Sequence, residues 1–502
     1  MRAVLFAGCE PAVAAGVDGR ILAVGPGARA AAGRGAEVVR LRGRAWPGLI
    51  DTHIHLEGLA ERNLNVELGG APSLKEVLAR VARRAARLPK DGWVVGAGWD
   101  NDAWSDPAFP TREHLDQAAG GRPAYLRRKD GHSAWVSSSA LRLAGIGRGS
   151  VDPPAGVIDH DELGEPTGIL RETGMQLVAG IVPRAGEAEF DAAMARALAG
   201  LARLGLTSVH SMDSARGFGS LQRLGGRGSL PVRVTYNLPA ADLAGAERLG
   251  VRSGWGDQWL RLWGVKAFLD GSLGSRTAEM LDGGGNSRLE QAELVDLVDR
   301  CARAELNVCL HAIGDGAVRR ALDALAPHRD AWRRWRPRIE HAQCVDPKDM
   351  RRFARYGVIA SMQPVHAVAD RDLADAMWPR VTGHSYAWGA LDRAGARLAF
   401  GSDAPVETAD PLAGIDAATG WRRRAAWHPE LALSRAAALR AYTSGAAYAV
   451  GMEKDLGTLR PGKLCDMTVV DGGDVVATIV GGRVSWLRKL SAASPRSAAG
   501  AR

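Results

Sequence analysis

The sequence predicts an α/β fold: a (β/α)8 TIM barrel with a large insertion after the first strand and a small β-sandwich domain built from both chain ends. Short runs of apolar and β-branched residues recur near positions 50, 209, 234, 265, 309, 339, 360 and 400, alternating with helix-length stretches. One long interruption, residues 57–185, separates the first run from the second. Strand-rich segments at 1–46 and 451–487 flank the alternating middle. The expected domains are therefore 1–46 with 451–487 as the composite β domain, 47–56 with 186–450 as the barrel and 57–185 as an insertion or substrate lid. Residues 488–502, rich in Ser, Ala and Arg, are expected to form a flexible tail.

In chain order, 1–46 alternates Val, Leu and Ile with turn signals such as Asp18-Gly19-Arg20, which suits small antiparallel strands. The apolar run 47–56 is the first barrel strand. After the insertion, 191–204 places Ala, Leu and Met on one helical face and ends at Gly205 before the strand 207–212. Strands follow at 232–236 and 262–269. A helix over 291–304 precedes the strand 307–311, and a helix over 315–325 precedes 338–341. A helix over 347–356 leads to 358–362, and 398–402 closes the series. Parallel strands need such crossovers.

Composition narrows the function classes. With 46% hydrophobic and 24% charged residues the chain is globular, and no run approaches the length a membrane span needs. The net charge of +9 raises a nucleic-acid binder as an alternative. The arginines are dispersed, however, with no basic stripe interleaved with aromatics. Five scattered cysteines suit buried thiols in a reducing cytoplasm better than a disulfide framework.

In a barrel the chemistry sits at the C-terminal ends of the strands. His53 and His55 end the first, and on a strand residues i and i+2 share a face. Lys266 lies on the fourth strand, His311 ends the fifth, His341 the sixth and Asp403 follows the eighth. Each has a bland reading as a core histidine, a helix cap or a paired lysine. Together they are six ligand-type groups at one end of the barrel, and burying them unpaired would be costly. A metal site is the reading that joins them. His210 ends the second strand without a partner in this pattern and is read as structural.

Pro47-Gly48-Leu49-Ile50-Asp51-Thr52-His53-Ile54-His55, His311, Ile339-Glu340-His341 and Gly401-Ser402-Asp403 resemble the metal-dependent amidohydrolase superfamily. The stretches 264–278 and His311-Ala312-Ile313-Gly314-Asp315 are similar to its amidohydrolase-3 group, which includes the N-substituted formamide deformylases. So are Gly98-Trp99-Asp100, Pro110-Thr111-Arg112 and 128–135 in the insertion. The likeness runs from about residue 20 to 485.

The resemblance implies hydrolysis of a carbon–nitrogen bond, amide-type or N-formyl, by metal-activated water. A divalent cation, Zn²⁺ first, would lower the pKa of water from 15.7 to about 7. Asp403 would act as general base, with His341 as a second catalytic group or ligand. It also implies that Lys266 reacts with carbon dioxide to form a carbamate bridging two ions, with His53, His55 and Asp403 on one and His311 and His341 on the other. The alternative is one ion on His53, His55, His311 and Asp403, with Lys266 paired to Asp403 or Asp270. Trp99, Trp104 and His132 are expected to line the substrate side of the pocket. Asp315 either contacts substrate or caps its helix. The expected partner is a small-molecule substrate, with no nucleic acid and no membrane, and a homodimer is left open. A deaminase, a cyclic-amide hydrolase and a metal-free binding relative remain as alternatives.

Overall fold

The computed structural model describes residues 2–129, 132–154, 156–331 and 335–488. The remainder of the expected tail, 489–502, lies outside the described residues. The chain divides into two compact units, 1–59 with 194–502 and 60–193.

The first unit holds the barrel. Its strands are β1 (Leu49–Ile54), β2 (Leu206–Ser211), β3 (Arg233–Pro239), β4 (Leu260–Phe268), β5 (Asn307–Ala312), β6 (Arg338–His341), β7 (Ile359–Met362) and β8 (Arg397–Phe400). They pair in parallel in sequence order. β1, β2 and β5 are buried along their whole length, as expected of strands covered on both faces. The seam between first and last strand closes just beyond β8: His55 N donates to Ala404 O at 2.8 Å and Asp403 N to His53 O at 2.7 Å.

The crossover helices follow their sequence signals. Gln291–Arg303 buries Leu294, Leu297, Val298 and Cys301, spaced i, i+3, i+4, i+7, behind a capping box of Glu290 and Glu293. Pro347–Tyr356 starts with Asp346 accepting from Lys348 N and ends at Gly357, whose φ of 63° suits glycine. The helix expected at 191–204 begins earlier, at Glu187. Among the described residues no helix is long and apolar enough to cross a membrane.

Both chain ends build one seven-stranded sheet, ordered Arg483–Leu487, Asp474–Val480, Met467–Asp471, Glu37–Pro47, Val4–Glu10, Val13–Ala15, Ile21–Val24. Its pairs are antiparallel except Val4–Glu10 with Glu37–Pro47, which run parallel. The all-antiparallel expectation fails there because the short helix Ala28–Ala32 lies in the connection and lets the chain return in the same direction. Phe6, Val13, Leu41, Met467, Val469 and Ile479 form its buried cluster. This sheet holds the N-terminal side of the barrel: Thr468 Oγ1 donates to Gly205 O at 2.7 Å and Thr478 Oγ1 to Ala202 O at 2.6 Å. Arg233 on β3 donates twice to Asp466, at 2.7 and 2.9 Å, with both side chains 3% exposed.

The second unit carries its own six-stranded sheet, ordered Gly156–His160, Pro166–Glu172, Ser133–Val136, Ala124–Arg128, Val94–Trp99, Val66–Glu67. Its core gathers Val77, Val81, Leu115, Leu126, Trp135 and Ile169.

Removing one partner of a buried ion pair leaves the other charge uncompensated. Asp466→Ala is therefore expected to cost about 3–5 kcal/mol of stability, read as a lower urea midpoint. A wild-type midpoint would show that the pair does not hold the sheet to the barrel.

Candidate metal centre

β1 ends with His53 fully buried and the His55 side chain 28% exposed. His53 Nδ1 donates to Glu340 Oε2 at 2.7 Å. Burial would raise the Glu340 carboxyl, but Arg338, 2.7 Å from its Oε1, together with His53 holds it well below the usual carboxylate range. A charged carboxylate on Nδ1 fixes the tautomer, so Nε2 offers its lone pair inward. Burial, and then the Lys266 ammonium, push the His53 imidazole down to about 4 and that of His311 down to about 3. Both rings are neutral at pH 7, the form that binds metals.

His53 Nε2 lies 3.5 Å from Asp403 Oδ1, and His55 Nε2 lies 3.1 Å from the same oxygen. Among the described residues that oxygen nonetheless has no hydrogen-bond partner. The imidazole nitrogens of His53 and His341 and a carboxylate oxygen of Asp403 converge within 4.8 Å of one another. His341 and Asp403 both adopt left-handed backbone, with φ of 72° and 60°. Strain of this kind persists where the surroundings over-determine it. His341 Nδ1 and His366 Nε2 are also buried without hydrogen-bond partners among the described residues. Orphaned polar atoms crowded into one buried place are costly unless something binds them. A set of imidazoles and one carboxylate fits a divalent cation such as Zn²⁺.

The remaining predicted ligands ring this cluster. The His311 ring sits 4.4 Å from that of His341, and its Nε2 donates to Gly271 O at 2.9 Å. His341 therefore stands with His53 and Asp403 as well as with His311. Asp270 joins the loops after β4 and β5 by accepting from Ile313 N at 3.0 Å and Gly314 N at 2.8 Å. Lys266 Nζ is 3.3 Å from His53 Nε2 in a buried position.

Each expected substrate residue has its own local setting. Trp99 is fully buried and Trp104 is 7% exposed, both within the core of the second unit. Their indole N–H groups donate to Leu126 O and Ala71 O. The lid reading is corrected for these two, because packing leaves them no open face. His132 is exposed, with Nδ1 3.0 Å from Glu172. Asp315 opens the helix after β5, but Gly314 holds the cap position. Its Oδ1 accepts from Leu281 N at 2.8 Å, and the residue borders a cavity of about 590 Å³.

Several residues of the centre escaped sequence reasoning. Arg338 and Glu340 lie two apart on β6, a same-face spacing that could have flagged them. His366 sits in the first turn of helix Pro364–Met377, its Nε2 3.7 Å from Asp403 Oδ2. Asp51 accepts from His53 N at 3.0 Å and from Ser402 Oγ at 2.6 Å, tying the seam; burial pushes its carboxyl up to about 7. At Gly401 a Cβ would stand 2.5 Å from His53 N, so only glycine lets the two segments meet. Phe268, 43% exposed, faces the centre with its ring 5.0 Å from that of His311.

Comparison with known proteins agrees with this geometry. A family model described as "Amidohydrolase family" matches residues 37–485. The chain is 34% identical to the protein LONG AFTER FAR-RED 3 of Arabidopsis thaliana, over 93% of this chain and 87% of that one. It is 28% identical to an N-substituted formamide deformylase of Arthrobacter pascens, over 90% and 88%. Among solved structures, an uncharacterized metal-dependent hydrolase from Pyrococcus furiosus superposes with a TM-score of 0.76 at 29% identity, covering 94% of this chain and 99% of that one.

Glu340→Gln keeps the shape and removes the charge that fixes the His53 tautomer. Changes of this kind cost about 10–100-fold in metal affinity. Competition with a chromophoric chelator should read that loss while circular dichroism stays unchanged. Equal affinity in the variant would remove Glu340 from the site's design.

Proposed function

The chain belongs to the amidohydrolase family, and on that premise we propose that it hydrolyses a carbon–nitrogen bond of a small molecule, amide-type and in particular N-formyl, using one or two divalent cations. The observation that carries this reading is the convergence of His53, His341 and Asp403 donor atoms within 4.8 Å at the C-terminal end of the barrel. The similarity to a formamide deformylase supports the N-formyl assignment. Zn²⁺ is the first choice because the donors are imidazoles and a carboxylate. The buried, unpaired cysteines suit a reducing cytoplasm.

His53, His55, His341 and Asp403 would hold the cation, with His311 beside them. When bound, it supplies a nucleophilic oxygen at neutral pH by lowering the pKa of water, and it polarises the scissile carbonyl. Asp403 does the proton work. Burial would raise its carboxyl, but His55, His53 and His366 hold it well below the usual range, so it is ionised and ready to accept. It takes the proton of the attacking water and returns it to the leaving nitrogen. Gln343 Nε2 donates to His366 Nδ1 at 3.3 Å, which sets His366 Nε2–H toward Asp403 Oδ2. Phe268 offers an aromatic wall for the substituent beside the scissile bond.

Lys266 supports the two-ion form. Burial lowers its pKa, and among the described residues it pairs with neither Asp403 nor Asp270. As a free amine it adds to carbon dioxide, forming a carbamate and releasing one proton. The anion so formed replaces a cation that the neighbouring imidazoles and metal would repel.

Metal-loaded protein screened on N-substituted formamides, N-acyl amines and cyclic amides should release amine and formate from the formamides. Turnover of the other classes alone would overturn the N-formyl assignment. Asp403→Asn should lower the rate by about 10²–10⁴, and unchanged turnover would exclude it as the base. Reconstitution with bicarbonate should load two ions per chain, falling to one in Lys266→Ala. One ion per chain in the wild type, insensitive to bicarbonate, would establish the single-ion site.

A further inference from the structure

At the opposite mouth of the barrel, among the N-terminal ends of the strands, lies a cavity of about 430 Å³. Its walls come from Leu260 and Arg261 at the start of β4, the end of helix Ala215–Gly226, and Arg483 of the terminal sheet. Arg261 and Lys266 are five residues apart on β4, so at ~3.3 Å per residue this cavity stands about 16 Å from the metal centre.

Two features of the lining call for a ligand. Trp255, 59% exposed, and Trp259 present indole surface to the cavity, an unusual amount of open aromatic area for one place. Beside them the Arg261 guanidinium has, among the described residues, no hydrogen bond and no ion pair, and its Nε is buried. It stands over the Trp263 ring at 5.1 Å. Burial pushes its pKa down, against the smaller opposing pull of Asp455. A partly buried guanidinium with no hydrogen bond of its own is free to donate one to an anion's oxygens.

Among the other polar groups of the lining, Gln222 adds a neutral amide, while Asp257 and the helix-end carbonyls are already engaged. Asp257 Oδ1 accepts from Trp259 N at 2.6 Å and Leu260 N at 2.9 Å, closing its own turn. The carbonyls of Leu224 and Gly225 at the helix end accept from Ser229 N and Gly228 N. Arg483 adds a second cation and stands 6.0 Å from the Trp259 ring. Two cations, Arg261 and Arg483, therefore share the lining with the aromatic rings of Phe218, Trp255 and Trp259.

We propose that this cavity binds a planar organic anion, an aromatic or heteroaromatic carboxylate, with the carboxylate on Arg261 and the ring against Trp255 and Trp259. A guanidinium takes a carboxylate in a bidentate fork, and indoles stack on flat rings. The site is separate from the metal centre and does not depend on which bond that centre cleaves.

The test is calorimetric titration of the full chain with 2-naphthoate and with its neutral isostere 2-naphthamide. Naphthoate should bind at one per chain, and the amide about tenfold or more weaker, the scale of one charge-assisted bond. Arg261→Met and Trp255→Leu, each checked for an unchanged melting temperature, should weaken naphthoate by a similar factor. His53→Ala should leave it unaltered. Absence of binding at millimolar naphthoate, equal affinity for the amide, wild-type affinity in Arg261→Met, or loss of binding in His53→Ala would each overturn the proposal.

Discussion

Glu340 keeps a negative charge at a position with no exposed surface, between Arg338 at 2.7 Å and His53 Nδ1 at 2.7 Å. The centre depends on this arrangement. Arg338 also donates to Ser361 Oγ at 3.0 Å, to His210 Nδ1 at 3.0 Å and to Thr52 O, so one guanidinium joins β6, β7, β2 and β1 in the barrel interior. Without it the carboxylate would protonate, His53 would lose its fixed tautomer, and the first donor of the centre would turn freely. The reading of His210 as structural gains a reason: it receives the far end of the same guanidinium. Buried charge of this kind adds little net stability, but it sets a single orientation for the groups around it.

The second constraint is backbone. On a regular strand Glu340 and His341 would face opposite sides of the sheet. The left-handed conformation of His341 turns its ring into the centre directly after Glu340, and Asp403 is presented in the same way beyond β8. Such conformations cost about 1–3 kcal/mol each. The seam bonds around His53, Asp51 and Ser402 hold the Asp403 segment in place.

This explains what could be read in advance. The eight strands were legible because central parallel strands are continuous apolar runs, and the six ligand-type residues because they sit where such strands end. The His53–Glu340 bond was not, since it links residues 287 apart on β1 and β6, which face each other only across the interior of the closed barrel. His366 was hidden because it lies on a helix, where strand periodicity says nothing. Trp99 and Trp104 were misplaced for the reverse reason. A motif-bearing aromatic in an insertion invites a role at the substrate, yet large indoles are also what a separate six-stranded sheet needs to fill its own core.

The closure of the barrel also has a consequence for how the protein is made. Ser402 Oγ meets Asp51 across 351 residues of chain, and Asp403 N meets His53 O at the same seam. While the ribosome has delivered only the first seven strands, β1 stands as an open edge, and the imidazoles of His53 and His55 face a gap. A nascent chain in that state holds a long-range contact still unmade, the slow and aggregation-exposed kind. Emergence of the last barrel strand therefore completes the cylinder and the cation-binding constellation in one event, so a nascent chain cannot assemble that constellation before the cylinder closes.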